Sequence, residues 1–116
     1  MLTCHAHHPR TGYWLETVSY RDAYDSSPEL HGCAIANRPE DAIRLIRIQI
    51  QTGHPITLSP SEAERALAWA CGGGRVQALA ALHRGEGAGF SIVQRDGTRA
   101  EWRIRPVSRL RLIRSG

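Results

Sequence analysis

Residues 59–105 decide the fold, and they have the sequence SPSEAERALAWACGGGRVQALAALHRGEGAGFSIVQRDGTRAEWRIR. Ser59 is a predicted helix N-cap, because a proline follows it at the first helical position and Glu62 stands at the capping-box position. The glycines at 72–74 are predicted to end this helix, since glycine adopts the left-handed conformation that a helix exit uses. A short helix over 75–84 and a β-hairpin then follow.

Helical spacing predicts which side chains of these two helices face the core. In the first helix the inward residues are Ala63, Ala66, Leu67 and Ala70. Its outward residues are Glu62, Arg65 and Trp69. In the second helix the inward residues are Val76, Leu79, Ala80 and His83, and the outward residues are Gln77, Ala81 and Arg84.

The register of the hairpin follows from its side-chain pattern. A two-residue turn would mix apolar and charged side chains on one face. A three-residue loop over 95–97, with its glycine in the left-handed conformation, instead pairs Phe90 with Trp102 and Ile92 with Ala100. We therefore predict the three-residue loop. The opposite, exposed face then carries Arg99, Arg103 and Arg105.

The N-terminal part of the chain has a weaker pattern. A first β-hairpin is predicted from residues 2–8 and 13–20, because turn residues separate them and the second arm is rich in aromatic and β-branched residues. Residues 21–37 are rich in Asp, Ser, Pro and Gly, and we predict a linker loop there. A short strand over 31–35 is the one regular element expected in this loop.

A helix is predicted from Asn37, an N-cap candidate, to near Gly53, with Glu40 completing a capping box. Within it, residues 46–50 also alternate between isoleucine and polar side chains, which is the pattern of a strand. The cap and the length of the segment favour the helix. Residues 55–58 are predicted to be a short strand.

The order of elements from Asn37 onward is helix, short strand, helix, glycine turn, helix and hairpin. Over residues 38–106 this order resembles the winged helix-turn-helix family. The fold class predicted for the chain is α+β, with an N-terminal β-hairpin, three helices and a C-terminal β-hairpin. The expected organisation is a hairpin extension and loop over 1–36 and a winged-helix-like core over 37–116, together forming one compact domain.

In the winged-helix family the helix after the turn lies in the DNA major groove, and the hairpin, or wing, contacts the backbone. The resemblance implies a nucleic-acid-binding role for three residues of the last helix and four of the hairpin. These are Arg75, Gln77 and Arg84 on the helix, and Arg95, Arg99, Arg103 and Arg105 on the hairpin.

The composition is compatible with such a role. The chain has 116 residues and a formal net charge of +4, and all 15 of its basic residues are arginine. Codon usage in a GC-rich genome would explain this preference, but arginine also suits phosphate groups and acidic protein surfaces. Three cysteines without regular spacing argue against a disulfide framework. With no signal-peptide or membrane-spanning pattern, we expect a cytoplasmic protein that does not contact membranes.

Histidine and cysteine side chains offer a weak metal-binding pattern. The candidate ligands are His5, His7, His31 and Cys33. On a strand, His5 and His7 face one side and Cys4 and His8 the other, so at most two of these four can meet one ion. No metal site or cofactor is therefore predicted. Enzymatic activity is not predicted either, since no nucleophile in the sequence has both a neighbouring base and a group that would orient that base.

Two functions are compatible with these features. The first is a small basic protein that binds DNA or RNA, of regulatory type and encoded by a bacterium, phage or plasmid. The alternative is a non-enzymatic inhibitor or adaptor that binds another protein, for example a phage-encoded inhibitor of a host defence complex. Arginine, tryptophan and tyrosine are enriched in protein interfaces, so the same residues suit the alternative.

Overall fold

The computed structural model describes residues 11–22 and 24–108. Four strands and three helices follow one another in the order β1, β2, α1, α2, α3, β3 and β4. Their bounds are β1 Thr11–Tyr20, β2 Glu29–Ala36, α1 Pro39–Thr52, α2 Pro60–Cys71, α3 Gly73–His83, β3 Ala88–Val93 and β4 Arg99–Ser108. The predicted α+β class, with a hairpin, three helices and a second hairpin, is confirmed.

The strands form one antiparallel sheet in the order β2-β1-β4-β3. Strand β1 is central, and it pairs with β4 from Thr11 opposite Ser108 to Tyr20 opposite Arg99. The segment predicted as an extension therefore supplies the two strands that complete the sheet. Residues 2–8 of the predicted first hairpin lie outside the described residues, and the arm at 13–20 pairs instead with β2 and β4.

The predicted linker loop over 21–37 contains strand β2, which is longer than the short strand expected at 31–35. Turn-forming residues are concentrated before Glu29, whereas the second half is built from small and apolar side chains. Pairing with β1 supplies the backbone hydrogen bonds that these weakly patterned residues need. A bulge interrupts this pairing between Thr17 and Val18.

All three helices contribute to a core on one face of the sheet. The largest fully buried side chains include Leu15, Trp102 and Ile104 from the strands, and Ile43, Ile46 and Leu82 from the helices. One polar group lies among them. The side-chain oxygen of Gln49 accepts hydrogen bonds from Thr17 Oγ1 at 2.7 Å and from Trp102 Nε1 at 3.0 Å.

Helix α1 confirms the prediction of a helix over the alternating isoleucines, and it ends at Gly53, whose φ is 70°. Its start differs from the prediction. The N-cap is Arg38, which makes no side-chain capping bond, and Pro39 occupies the first helical position. The fixed φ of proline suits the first helical position. The helix therefore begins at Pro39, one residue later than a helix capped by Asn37 would begin. The strand predicted over 55–58 does not form.

The glycines at 72–74 form a corner rather than the predicted loop with a left-handed exit. Gly72 alone separates the two helices, with φ −121° and ψ −141°, and α3 begins at Gly73. A Cβ atom at Gly72 would lie 2.6 Å from the carbonyl oxygen of Ala68. One at Gly74 would lie 2.1 Å from Cδ1 of Trp69. Glycine is needed here because the two helices approach each other closely.

The buried face of α3 differs from the predicted one. Ala78 and Leu82 are buried, whereas Val76 is 64% exposed and His83 is exposed. The close approach at Gly74 determines this orientation, because positions four residues apart along a helix share one face. Ala78 and Leu82 therefore point to the core from the same side of the helix as Gly74, and the predicted inward residue Ala80 is exposed.

The capping box at the start of α2 is confirmed, but Glu62 does not face solvent as predicted. Its side chain is 2% exposed. One carboxylate oxygen accepts the N–H of Ser59 and the other accepts the N–H of Arg95, both at 2.8 Å. Trp69, also predicted to face outward, is half-buried against Phe90, with ring centroids 5.3 Å apart.

The predicted register of the C-terminal hairpin is confirmed. Phe90 lies opposite Trp102 and Ile92 opposite Ala100. Gly97 has a φ of 91°, and the N–H of Gln94 donates to the carbonyl of Thr98 at 2.7 Å, which closes a three-residue loop. Local side-chain pairing was therefore sufficient to assign this part of the sheet.

Candidate nucleic-acid interface

The structure distributes the seven residues of the predicted nucleic-acid site over different sides of the molecule. Arg75, Gln77 and Arg84 belong to α3 or its end, in the helix layer. Arg99, Arg103 and Arg105 alternate along β4 with core residues, so they lie on the sheet face opposite the helices, here called the outer sheet face. Arg95 lies in the hairpin loop. The predicted site is therefore not one surface.

On the outer sheet face, Arg103 is held by neighbouring side chains of β1. Its Nε lies 3.1 Å from Glu16 Oε1, and its Nη1 donates to the hydroxyl of Tyr20 at 3.4 Å. Two neighbouring donors lower the pKa of Glu16: the indole N–H of Trp14 and the guanidinium of Arg103. The indole N–H is close to the carboxylate but does not meet the geometric criteria for a hydrogen bond. Arg103 thus takes part in the packing of the sheet.

Arg99 also packs on its own sheet. The carbon at the centre of its guanidinium lies 4.0 Å from the centroid of the Tyr20 ring, a cation–π contact. Its Nε is buried and has no hydrogen-bond partner among the described residues. Among the hairpin arginines, Arg95 and Arg105 are exposed residues, whereas Arg99 and Arg103 are half-buried.

At the end of α3, Arg84 is exposed, but it forms an ion pair with Glu86. Its Nη2 lies 3.0 Å from Glu86 Oε1, and the hydrogen bond between them lowers the pKa of Glu86. Gln77 is exposed on α3 without a described hydrogen bond. Of the two residues, Arg84 would have to leave its ion pair with Glu86 to bind a ligand, whereas the side chain of Gln77 has no described partner.

A second group of arginines lies together on the helix layer. Arg44 and Arg47 of α1 and Arg75 of α3 line a cleft of about 130 Å³ beside Glu40, Ile43 and Ala70. We call this group the arginine cleft. Within residues 11–22 and 24–108, none of the three arginines belongs to an ion pair. Three guanidinium groups and the single carboxylate of Glu40 therefore line one small depression.

The orientation of α1 against α3 brings this cleft together. Glu40, in the first turn of α1, lies 3.4 Å from His83 Nε2 at the end of α3, so the two helices run in opposite directions. The pKa of Glu40 is lowered by its own backbone amide and then by His83 and Arg38. The carboxylate at this end of the cleft thus lies against the imidazole of His83.

Helical spacing in the sequence places Arg44 and Arg47 together, but it does not indicate that Arg75 lies beside them. Spacing of three residues along α1 places the first two on one face. Arg75 lies beside them only because α3 packs next to α1. That packing depends on the corner that Gly72 makes between α2 and α3. A tertiary contact therefore assembles the cleft.

The candidate metal ligands do not form a common site in the described part of the chain. His31 and Cys33 are exposed on β2, and His31 Nε2 lies 2.6 Å from Ser19 Oγ. His5 and His7 lie outside the described residues. Within the ranges that the structure describes, no helix has the length and apolar character needed to cross a bilayer.

We compared the chain with protein-family models, with curated proteins and with solved structures, and none of them matches it. Its function is therefore inferred from the geometry of the described residues.

Proposed function

We propose that this protein binds nucleic acid, DNA or RNA, through backbone phosphates at the arginine cleft, as a non-enzymatic regulatory protein in the cytoplasm. The convergence of Arg44, Arg47 and Arg75, none of which forms an ion pair with another described residue, carries the proposal. Guanidinium groups donate several hydrogen bonds in a planar fork and suit phosphate oxygens. Such a cluster on two helices offers a positive surface of the kind that phosphate contacts need.

The winged-helix resemblance supports the same surface. In that family the helix after the turn faces DNA, and here Arg75 lies in the first turn of α3. Two of its neighbours, Arg44 and Arg47, come from α1 and add positive charge beside that turn. We propose that α3 and the exposed side of α1 together face the phosphate backbone, and that Arg95 at the hairpin tip makes an additional contact.

The proposal is tested by replacing Arg44, Arg47 and Arg75 together with alanine and measuring fluorescence anisotropy of labelled oligonucleotides at about 50 mM salt. The wild-type protein is expected to bind, and the triple variant is expected to lose at least about tenfold in affinity. A matched control removes the same charge at three other exposed arginines, Arg65, Arg84 and Arg105. Absence of binding by the wild type, or an equal loss in the control, would contradict the proposal.

Protein binding is a second candidate, and the outer sheet face favours it. Trp14 Nε1 and Arg99 Nε are both buried there without a described hydrogen-bond partner. The same face carries Trp14, Arg103 and the exposed Arg105, and tryptophan and arginine are residue types enriched in protein interfaces. In this case the protein would act as an inhibitor or adaptor.

Capturing binding partners from host extract distinguishes nucleic-acid binding from protein binding. Protein binding at the outer sheet face predicts stoichiometric capture that survives nuclease and high salt. This capture should be lost on replacing Trp14 with phenylalanine or Arg99 with lysine, but not in the triple variant of the arginine cleft.

A further inference from the structure

A shallow groove lies between α3 and β3, on the other side of the first turn of α3 from the arginine cleft. Its volume is about 190 Å³. The groove is lined by Trp69, Gly74, Gln77, Ala78, Ala81, Gly87, Ala88 and Gly89. We infer that this groove binds an unpaired nucleobase stacked on Trp69, so that the nucleic acid bound is single-stranded. This inference rests on the proposed function.

The walls of the groove leave space for a flat ligand. Three of the lining residues are glycines and three more are alanines, although the space beside Gly74 is filled by the Trp69 ring itself. Trp69 is the one aromatic side chain among the lining residues, and it is half-buried. A flat aromatic surface beside a wall of backbone and methyl groups suits a planar ring.

The Trp69 ring is held in place by stacking on Phe90. It stacks on Phe90 with centroids 5.3 Å apart and an interplanar angle of 28°. Phe90 stacks in turn on Trp102 at 6.3 Å, and Trp102 is fully buried. Because the ring is already ordered by this stack, a base that binds to it loses little side-chain entropy of the protein.

Polar groups at the groove suit the edge of a base. The amide of Gln77 is exposed on α3 and offers both donors and an acceptor. Amide side chains of this kind form paired hydrogen bonds with base edges. The indole Nε1 of Trp69, a second polar atom at the groove, lies beside Gly74 and forms no hydrogen bond with another described residue.

The arginine cleft favours a nucleobase over the aromatic side chain of a protein. Gly74 and Gln77 line the groove, whereas Arg75, between them in sequence, lines the cleft. A single strand crossing the first turn of α3 would place its phosphates against the guanidinium groups and one base against Trp69. A duplex would keep its bases stacked internally and could not fill the groove without unpairing.

The test compares three probes of about 12 nucleotides at one salt concentration: a single strand, the corresponding duplex, and an abasic strand with the same phosphates. Anisotropy is measured for the wild type, for Trp69→Ala and for Ala81→Leu, which fills the groove while keeping the tryptophan. Val76→Ala, at an exposed position of α3, is the matched control. Circular dichroism and thermal melting establish that each variant is folded.

The single strand is expected to bind the wild type roughly 5- to 150-fold more tightly than the abasic strand, which is the range for stacking of one base on an aromatic ring. Both groove variants should remove this preference, and Val76→Ala should keep it. Should Trp69→Ala be unfolded, Ala81→Leu alone decides the result.

Equal affinity for the single strand and the abasic strand would overturn the base-binding groove and leave phosphate binding at the arginine cleft intact. A preference for the duplex would overturn it in the same way. No binding of any probe would overturn both proposals. Binding of a protein that depends on Trp69 but not on Arg44, Arg47 or Arg75 would assign the groove to an aromatic side chain instead.

Discussion

The carboxylate of Glu62 accepts the backbone N–H of Arg95 at 2.8 Å and so joins the start of α2 to the hairpin loop 33 residues later. Its other oxygen accepts the N–H of Ser59, which begins the same helix. One buried side chain therefore satisfies a donor in the helix cap and a donor in the loop. The β3–β4 loop is fixed to the helix layer through this carboxylate.

This relationship predicts a pH dependence of stability. The N–H of Ser59 and then that of Arg95 hold the pKa of Glu62 below its usual value, against the effect of burial. Because the folded-state pKa is lower than the unfolded one, ionised Glu62 stabilises the fold above about pH 4.3, and this stabilisation is lost as pH falls through the folded-state pKa. Urea unfolding of Glu62→Gln should show a weaker dependence on pH between about 5 and 3 than the wild type. Glu64→Gln, at an exposed position of α2, should keep the wild-type profile.

Gln49 is expected to be required for stability because it is the acceptor for two buried donors. Gln49→Leu leaves the hydroxyl of Thr17 and the indole N–H of Trp102 without their partner, and both residues are fully buried. The free energy of unfolding should fall by about 2 kcal/mol or more. Urea denaturation measures this loss, with Gln51→Leu at an exposed position as control. Equal unfolding midpoints for the two variants would show that the buried hydrogen bonds contribute little.

Adjacent glycines at the start of α3 should respond in opposite ways to alanine. A Cβ at Gly74 would overlap the Trp69 ring, so Gly74→Ala should destabilise the protein by about 1–3 kcal/mol. A Cβ at Gly73 meets nothing within 4 Å, so Gly73→Ala should stabilise it by about 0.5 kcal/mol through the lower backbone entropy of the unfolded chain. Thermal melting of the two variants tests the corner, and a stabilised Gly74→Ala would contradict it.

The slope of log K against log salt depends on the number of phosphate contacts that the arginine cleft makes. Each of Arg44→Ala, Arg47→Ala and Arg75→Ala should reduce the slope of log K against log salt by about 1. Arg84→Ala should change the slope less, because Arg84 is paired with Glu86. Anisotropy titrations between about 50 and 200 mM salt measure the slopes. Similar changes for all four variants would indicate a response to net charge without a localised site.

The parts of the fold that depend on neighbouring residues could be predicted from the sequence. The register of Phe90 with Trp102 followed from the side-chain pattern of one short hairpin, and the cap at Ser59 followed from three adjacent residues. The end of α1 at Gly53 was likewise a local signal.

Features that arise from tertiary packing could not be predicted. The orientation of α3 depends on how Gly74 contacts Trp69, and a sequence pattern of alanines and leucines is compatible with either face. The burial of Glu62 depends on an N–H from a loop 33 residues away. For the same reason the arginine cleft, which needs α1 beside α3, was missed, while arginines that pack on the outer sheet face were predicted to bind nucleic acid.

The central pairing of β1 with β4 has a consequence for the order in which the chain acquires structure. Hydrogen bonds between Thr11 and Ser108, and along the strands to Tyr20 and Arg99, connect the two ends of the described region. During synthesis, β1 lacks this partner until almost all of the described chain has emerged. Contacts between residues so far apart in sequence slow folding. We therefore expect the β3–β4 hairpin and the helices to form first and the sheet to close in one late, rate-limiting step.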